Sequence, residues 1–254
     1  MDERTYCVLQ SGTLHHIGDS VQAIILAGGK GRRLLPYTMV LPKPLMPIGE
    51  YPIIEVILRQ LKRYGFEKIT ISTGYLHELI HAYLDSNRSL GLDITYTHEE
   101  SPLGTIGPLH LVKNLDDTFL VMNGDILTDV NYQNLIGFHR KRGAVATIAT
   151  FQRDVPVDFG VLDQSEDHKI IAFREKPTYH FDVSMGIYVF SKRILNYVPV
   201  DTPFGFDQLM YTLIENNEAV YSYPHTGYWL DIGRPDDYER SIIDFEKNKH
   251  LFLL

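Results

Sequence analysis

Apolar positions in this chain fall in short runs that alternate between strand and helix spacing. Residues 21–27 form an apolar run of strand length that stops at a glycine pair, and they predict a buried strand. Over 53–64, Ile54, Ile57, Leu58 and Leu61 recur on one side of a helix. Strands follow at 68–73, 92–97 and 119–122, with helices at 77–84 and 131–140, and 106–112 opens another helix. This alternation predicts an α/β fold with a mostly parallel sheet covered on both faces. The later part is richer in strands, at 145–151, 160–162, 169–173 and 185–190, with helices at 206–215 and 235–247. No repeat or low-complexity linker divides the chain, so 21–254 is read as one domain. Residues 1–20 precede the first core strand and receive no role.

Composition narrows the class. The chain has 254 residues, 44% hydrophobic and 22% charged, as in ordinary globular proteins. No apolar run approaches the ~20 residues of a membrane span. The start, Met-Asp-Glu-Arg, lacks the apolar core of a signal peptide. Cys7 is the single cysteine, which excludes an internal disulfide and argues against a cysteine metal site. A cytoplasmic location is the default expectation, with no membrane partner. The formal charge of −8 argues against nucleic acid as a partner.

The chemistry begins where the first strand ends. Leu26-Ala27-Gly28-Gly29-Lys30-Gly31-Arg32-Arg33 runs on to Pro42-Lys43-Pro44-Leu45. Glycines let backbone N–H groups approach an anion, and Arg33 and Lys43 add positive charge, so the segment suits nucleotide phosphates. It is not a P-loop, because Lys30 is followed by Gly31. It is not the dinucleotide fingerprint either, because the third glycine position holds Leu34. Asn123-Gly124-Asp125 follows the strand at 119–122, placing Asp125 at its C-terminal end, where open α/β sheets bind ligands. Histidines, His15-His16 included, show no metal-ligand spacing, and the sequon Asn87-Arg88-Ser89 carries little weight.

The glycine loop with Arg33, Pro36, Thr38 and Pro42-Lys43-Pro44-Leu45 resembles the signature of the sugar-1-phosphate nucleotidylyltransferases. The resemblance covers roughly residues 21–245 through several separated motifs. It implies a Rossmann-like, mostly parallel mixed sheet of the nucleotide-diphospho-sugar transferase type. The nucleotide-binding half lies at about 21–130 and the sugar-phosphate half at about 131–245. Residues after 245 are too few for the C-terminal β-helix of some relatives. The implied substrates are an NTP and a sugar 1-phosphate, and the implied cofactor is Mg²⁺ on Asp125 and on Asp231 of Trp229-Leu230-Asp231-Ile232-Gly233. Association is common in the family, so a homo-oligomer is carried as a candidate partner.

By the same resemblance, Arg33 and Lys43 hold the triphosphate, and Leu26, Ala27, Gly28, Gly29 and Gly31 shape its site. Pro102-Leu103-Gly104-Thr105-Ile106-Gly107 lies against base and ribose, nominating Pro102, Gly104 and Thr105. Phe159-Gly160-Val161 and Glu175-Lys176-Pro177 nominate Gly160 and Glu175 for the sugar and Lys176 for its phosphate. Asn123 and Gly186 join the substrate set, together with Ser184, which stands where the family usually has Asn. That exchange replaces a two-ended amide with one hydroxyl and leaves the sugar open. Arg32 also departs from the small residue many relatives carry.

Glu99 stands three residues before Pro102, where some relatives acting on thymidine or uridine nucleotides place Gln. A carboxylate accepts two hydrogen bonds side by side. Guanine offers two adjacent donors, whereas uracil and thymine offer one flanked by carbonyls, so Glu99 favours GTP. The Glu-x-x-Pro-Leu-Gly-Thr pattern also resembles the mannose-1-phosphate guanylyltransferase branch. Two rival expectations remain: a catalytically silent regulatory subunit, and the same fold acting on another nucleotide or a non-sugar phosphate. Retention of Arg33, Lys43, Asp125, Lys176 and Asp231 favours an enzyme.

Overall fold

A computed structural model of the chain describes residues 21–86 and 90–253. The 1–20 extension, with Cys7 and His15-His16, and the sequon at 87–89 lie outside the described residues.

The first half contains β1 (Gln22–Ala27), β2 (Pro47–Ile48), β3 (Tyr51–Pro52), α1 (Ile53–Arg63), β4 (Lys68–Thr73), α2 (His77–Ser86), β5 (Asp93–His98), β6 (Thr118–Asn123) and β7 (Ile126–Thr128). The second half contains α3 (Tyr132–Arg142), β8 (Ala146–Pro156), β9 (Val161–Gln164), β10 (Ile170–Arg174), β11 (Thr178–Ser191), α4 (Phe206–Glu215), β12 (Val220–His225), β13 (Trp229–Asp231), α5 (Pro235–Lys247) and α6 (Lys249–Leu253). Seven strands make the central sheet in the order β12-β8-β11-β6-β1-β4-β5. Only β11 runs against its neighbours, β6 and β8. The other pairings, β1 with β4 and β6, β4 with β5, and β8 with β12, are parallel. The expected mostly parallel mixed sheet is therefore present.

Strand alternation divides the core between the two faces. Ala23 and Ile25 join Ile54, Leu58 and Phe245 in one buried cluster, while Ile24 and Val121 join Leu209 and Leu213 in another. Helices thus cover both faces, as a parallel sheet requires. Local chemistry marks the ends of α3. Asn131 Oδ1 accepts the Asn134 N–H at 2.9 Å, and Gly143 ends the helix in the left-handed conformation.

The helix expected over 106–112 is instead a 3₁₀ turn, Gly107–Leu111. Leu109 N donates to Ile106 O and Val112 N to Leu109 O, both bonds of 3₁₀ spacing, and Val112 is already extended, so the segment closes without an α-helix. The strands expected at 145–151 and 185–190 are longer, because each extends into a shared antiparallel arm pairing Thr178 with Pro156. Among the described residues, no helix is long and apolar enough to cross a membrane.

Candidate functional site

The parallel strands β1 and β6 end side by side, with Leu26 opposite Asn123. The loops leaving these ends carry the charged groups. Gly124 N donates to Leu26 O at 2.9 Å, and a Cβ at Gly124 would lie 3.0 Å from that oxygen. The close approach places Asp125 beside the glycine loop.

In that loop Gly31 has φ +58°, and Thr38 Oγ1 donates to Gly31 O at 2.9 Å. A Cβ on Gly31 would stand 2.8 Å from Thr38 Cγ2, so the turn requires glycine. Leu34 is buried and anchors a 3₁₀ turn that leaves Arg33 exposed. Gly29 is exposed, with open space where a Cβ would be.

Lys43 is buried and forms an ion pair with the Asp125 carboxylate. Asp125 Oδ1 is buried without a hydrogen-bond partner. Asp231 arrives on β13, which pairs antiparallel with β7 and sets Asp231 opposite Ile126. Ile232 N donates to Asp125 O at 3.0 Å. Burial raises the Asp231 pKa above the usual carboxylate range; Asp125 pushes the same way, while Lys43 and Arg33 oppose it. A Cβ on Gly233 would meet both Asp231 Oδ2 at 3.2 Å and Arg33 Cζ at 3.5 Å. Arg33, Lys43, Asp125 and Asp231 therefore form one cluster of balanced charge. Two carboxylates, one with an orphaned oxygen, fit a hard divalent cation that takes its other ligands from phosphate and water. No three His, Cys, Asp or Glu side chains converge as a protein-only metal cage among the described residues.

Glu99 lies across from the glycine loop. Its Oε2 accepts the Leu103 N–H at 2.7 Å, and a Cβ on Gly28 would stand 2.7 Å from Oε1. Burial raises its pKa, and the Leu103 hydrogen bond opposes the rise. Glu99 thus lies half-buried between Gly28 and the 102–107 loop instead of pointing to solvent. Pro102 and Gly104 are exposed and Thr105 is half-buried. Gly104 has φ +79°, and a Cβ there would meet Phe204 O at 2.7 Å.

On the other side of β6, Gly186 sits in an irregular stretch of β11 between Ser184 and Tyr188, with φ +73°. A Cβ there would stand 2.5 Å from Asn123 Nδ2, which brings these two substrate candidates together. The Ser184 hydroxyl lies 3.3 Å from both Gly186 N and Tyr188 Oη, so it serves its own turn. A second group forms on the β9–β10 hairpin. A Cβ on Gly160 would meet the Phe173 ring at 2.6 Å and Glu175 Oε2 at 3.4 Å. Lys176 follows, exposed, with φ +42°.

Several contributors escaped the sequence reading. Trp229 Nε1 donates to Met185 O at 3.0 Å and so ties β13 to the Gly186 turn. Asp129 and His225 fasten the far end of β13, a contact between distant segments that no local pattern announces.

A family described as nucleotidyl transferase matches residues 22–248. The chain is 31% identical to a UTP–glucose-1-phosphate uridylyltransferase of Synechocystis sp., covering 87% of this chain and 62% of that protein. It is 32% identical to a mannose-1-phosphate guanylyltransferase of Mycobacterium tuberculosis, covering 88% and 64%. The chain thus spans less than two thirds of the length of these curated relatives. Among solved structures, HddC from Yersinia pseudotuberculosis superimposes with a TM-score of 0.70 at 26% identity, covering 89% of this chain and 99% of that one. A second HddC structure is complexed with GMP-PN.

Proposed function

The chain belongs to the nucleotidyl transferase family, and from that premise we propose that it joins an NTP to a sugar 1-phosphate, releasing pyrophosphate. The observation that carries this reading is the convergence of Arg33, Lys43, Asp125 and Asp231 where β1 and β6 end. Both substrates are anions, so the barrier is set by repulsion and alignment. The sugar phosphate is already a competent nucleophile, and in-line attack on the α-phosphorus needs no covalent protein intermediate.

Arg33 and Lys43 face the triphosphate and oppose charge building on the departing pyrophosphate. The backbone of Gly28 to Gly31 lets phosphates approach. Asp125 and Asp231 would hold a divalent cation, and Mg²⁺ suits their hard oxygens; when bound it would supply positive charge that offsets repulsion between the anionic substrates. Gly160 and Glu175 meet the sugar, and Lys176 its phosphate.

GTP is the proposed nucleotide. Glu99 presents a carboxylate beside Gly28, and each oxygen can accept a second hydrogen bond, so the one to Leu103 leaves room for two guanine donors. The GMP-PN complex of the HddC neighbour and the guanylyltransferase relative support the same base. The uridylyltransferase relative keeps UTP as the second reading.

The test is pyrophosphate release by purified parent, Arg33→Ala and Asp125→Ala proteins with unchanged circular dichroism. Turnover is expected in the parent and lost in both variants. Near-parental turnover in either variant removes that residue from the mechanism.

A further inference from the structure

The ladder that delivers Asp231 is only three pairs long: Ile126 opposite Asp231, Leu127 opposite Leu230, and Thr128 opposite Trp229. A slip of one residue would turn every side chain of β13 to the other face and carry Asp231 away from Asp125. Three pairs alone resist such a slip weakly.

The end remote from the carboxylates is fastened by Asp129. Its Oδ1 accepts the Tyr228 N–H at 2.7 Å and lies 2.9 Å from His225 Nε2. Its own amide donates to Tyr228 O at 3.2 Å, and Thr128 Oγ1 donates to the same carbonyl at 2.8 Å. The intervening turn fits so tightly that a Cβ on Gly227 would overlap Asp129 Oδ1. The His225 and Asp129 side chains are only 12% and 25% exposed, so this is no solvated surface pair.

We propose that Asp129, held by His225, is a positioning residue that sets the register in which Asp231 meets Asp125, and thereby the affinity of that carboxylate pair for a divalent cation. The inference rests on reading the pair as the metal site. Asp129 touches no reacting atom; it acts through β13.

Mn²⁺ is the probe, with free ion followed by electron paramagnetic resonance as the full chain is titrated without nucleotide. Asp129→Ala weakens binding by about 10–100-fold, the range for residues that orient metal ligands. Asp129→Asn keeps a carbonyl oxygen that accepts the Tyr228 N–H, and retains most of the parental affinity. Gly227→Ala leaves every donor in place but displaces the carboxylate, and weakens binding in the same direction; it carries the test if Asp129→Ala does not fold. Asp231→Asn is the reference. Parental Mn²⁺ affinity in Asp231→Asn overturns the metal reading on which the proposal stands. Impaired Asp231→Asn alongside parental affinity in folded Asp129→Ala and Gly227→Ala overturns the clamp alone.

Discussion

Replacing Lys43 by Met removes one cation from the cluster and keeps the hydrophobic stem. Asp125 then loses its ion-pair partner while its Oδ1 is already unpartnered. Removing one member of a buried pair costs about 3–5 kcal/mol. Here 10% of the Lys43 side chain and 20% of the Asp125 side chain reach solvent. Water screens part of the loss, and roughly 2 kcal/mol is expected. For a chain of this size that lowers Tm by about 4–8 °C. The pH dependence has a definite sign. Burial and Asp125 raise the Asp231 pKa, and Lys43 opposes the rise, so its removal raises that pKa further. A carboxyl group with a raised folded-state pKa costs stability while ionised and ceases to cost it once protonated. The deficit of the variant is therefore full above the raised pKa and shrinks as pH falls through it. If the carboxylate pair is the proposed metal site, Mg²⁺ also narrows the gap, because the bound cation would replace the missing charge in the folded state. Thermal melts of both proteins over a pH series descending from 7, with and without Mg²⁺, check each step. A Tm equal to the parent's at pH 7, or a deficit that neither acid nor Mg²⁺ reduces, would refute the charge cluster.

Other perturbations separate function from stability. Asp231→Asn removes an ionised group that burial and Asp125 disfavour, so at pH 7 its Tm is expected to equal or exceed the parent's while pyrophosphate release disappears. A lower Tm at pH 7 would contradict the sign of that interaction. Gly28→Ala places a methyl 2.7 Å from Glu99 Oε1, so the carboxylate must retreat by roughly 0.8 Å to reach ordinary contact. Because this disturbs the bond to Leu103, the KM for nucleotide should rise about tenfold, equivalent to ~1.4 kcal/mol, with little change in Tm. An unchanged KM would place Glu99 outside the nucleotide site.

Much of the framework was legible because it follows local rules. The run ending at Ala27, the period of α1 and the Asn131 cap each carry their own signal. So does the glycine loop, whose Gly31 takes a positive φ that glycine adopts without strain. The pieces that escaped depend on partners far along the chain. β7 and β13 have three residues each and exist because they pair across about a hundred positions. β12 carries Pro224, which argues against a strand, yet it lies at the edge of the sheet, where proline is tolerated. Thr178–Asp182 had alternation that could have been read as strand, but its pairing with the end of β8 makes it an arm outside the main core. For the site, residue types singled out Arg33 and Lys43 and the family resemblance added members such as Asp231, while the pairing of Lys43 with Asp125 and the closeness of Glu99 to the glycine loop emerged only from the fold.

The most direct measurement is pyrophosphate release with Mg²⁺ from GTP, CTP, UTP, dTTP and ATP, each against a panel of sugar 1-phosphates. Release with GTP and one sugar 1-phosphate is the predicted result. Release confined to another nucleotide would contradict the role given to Glu99. Silence across the panel from folded protein would contradict the proposed activity itself.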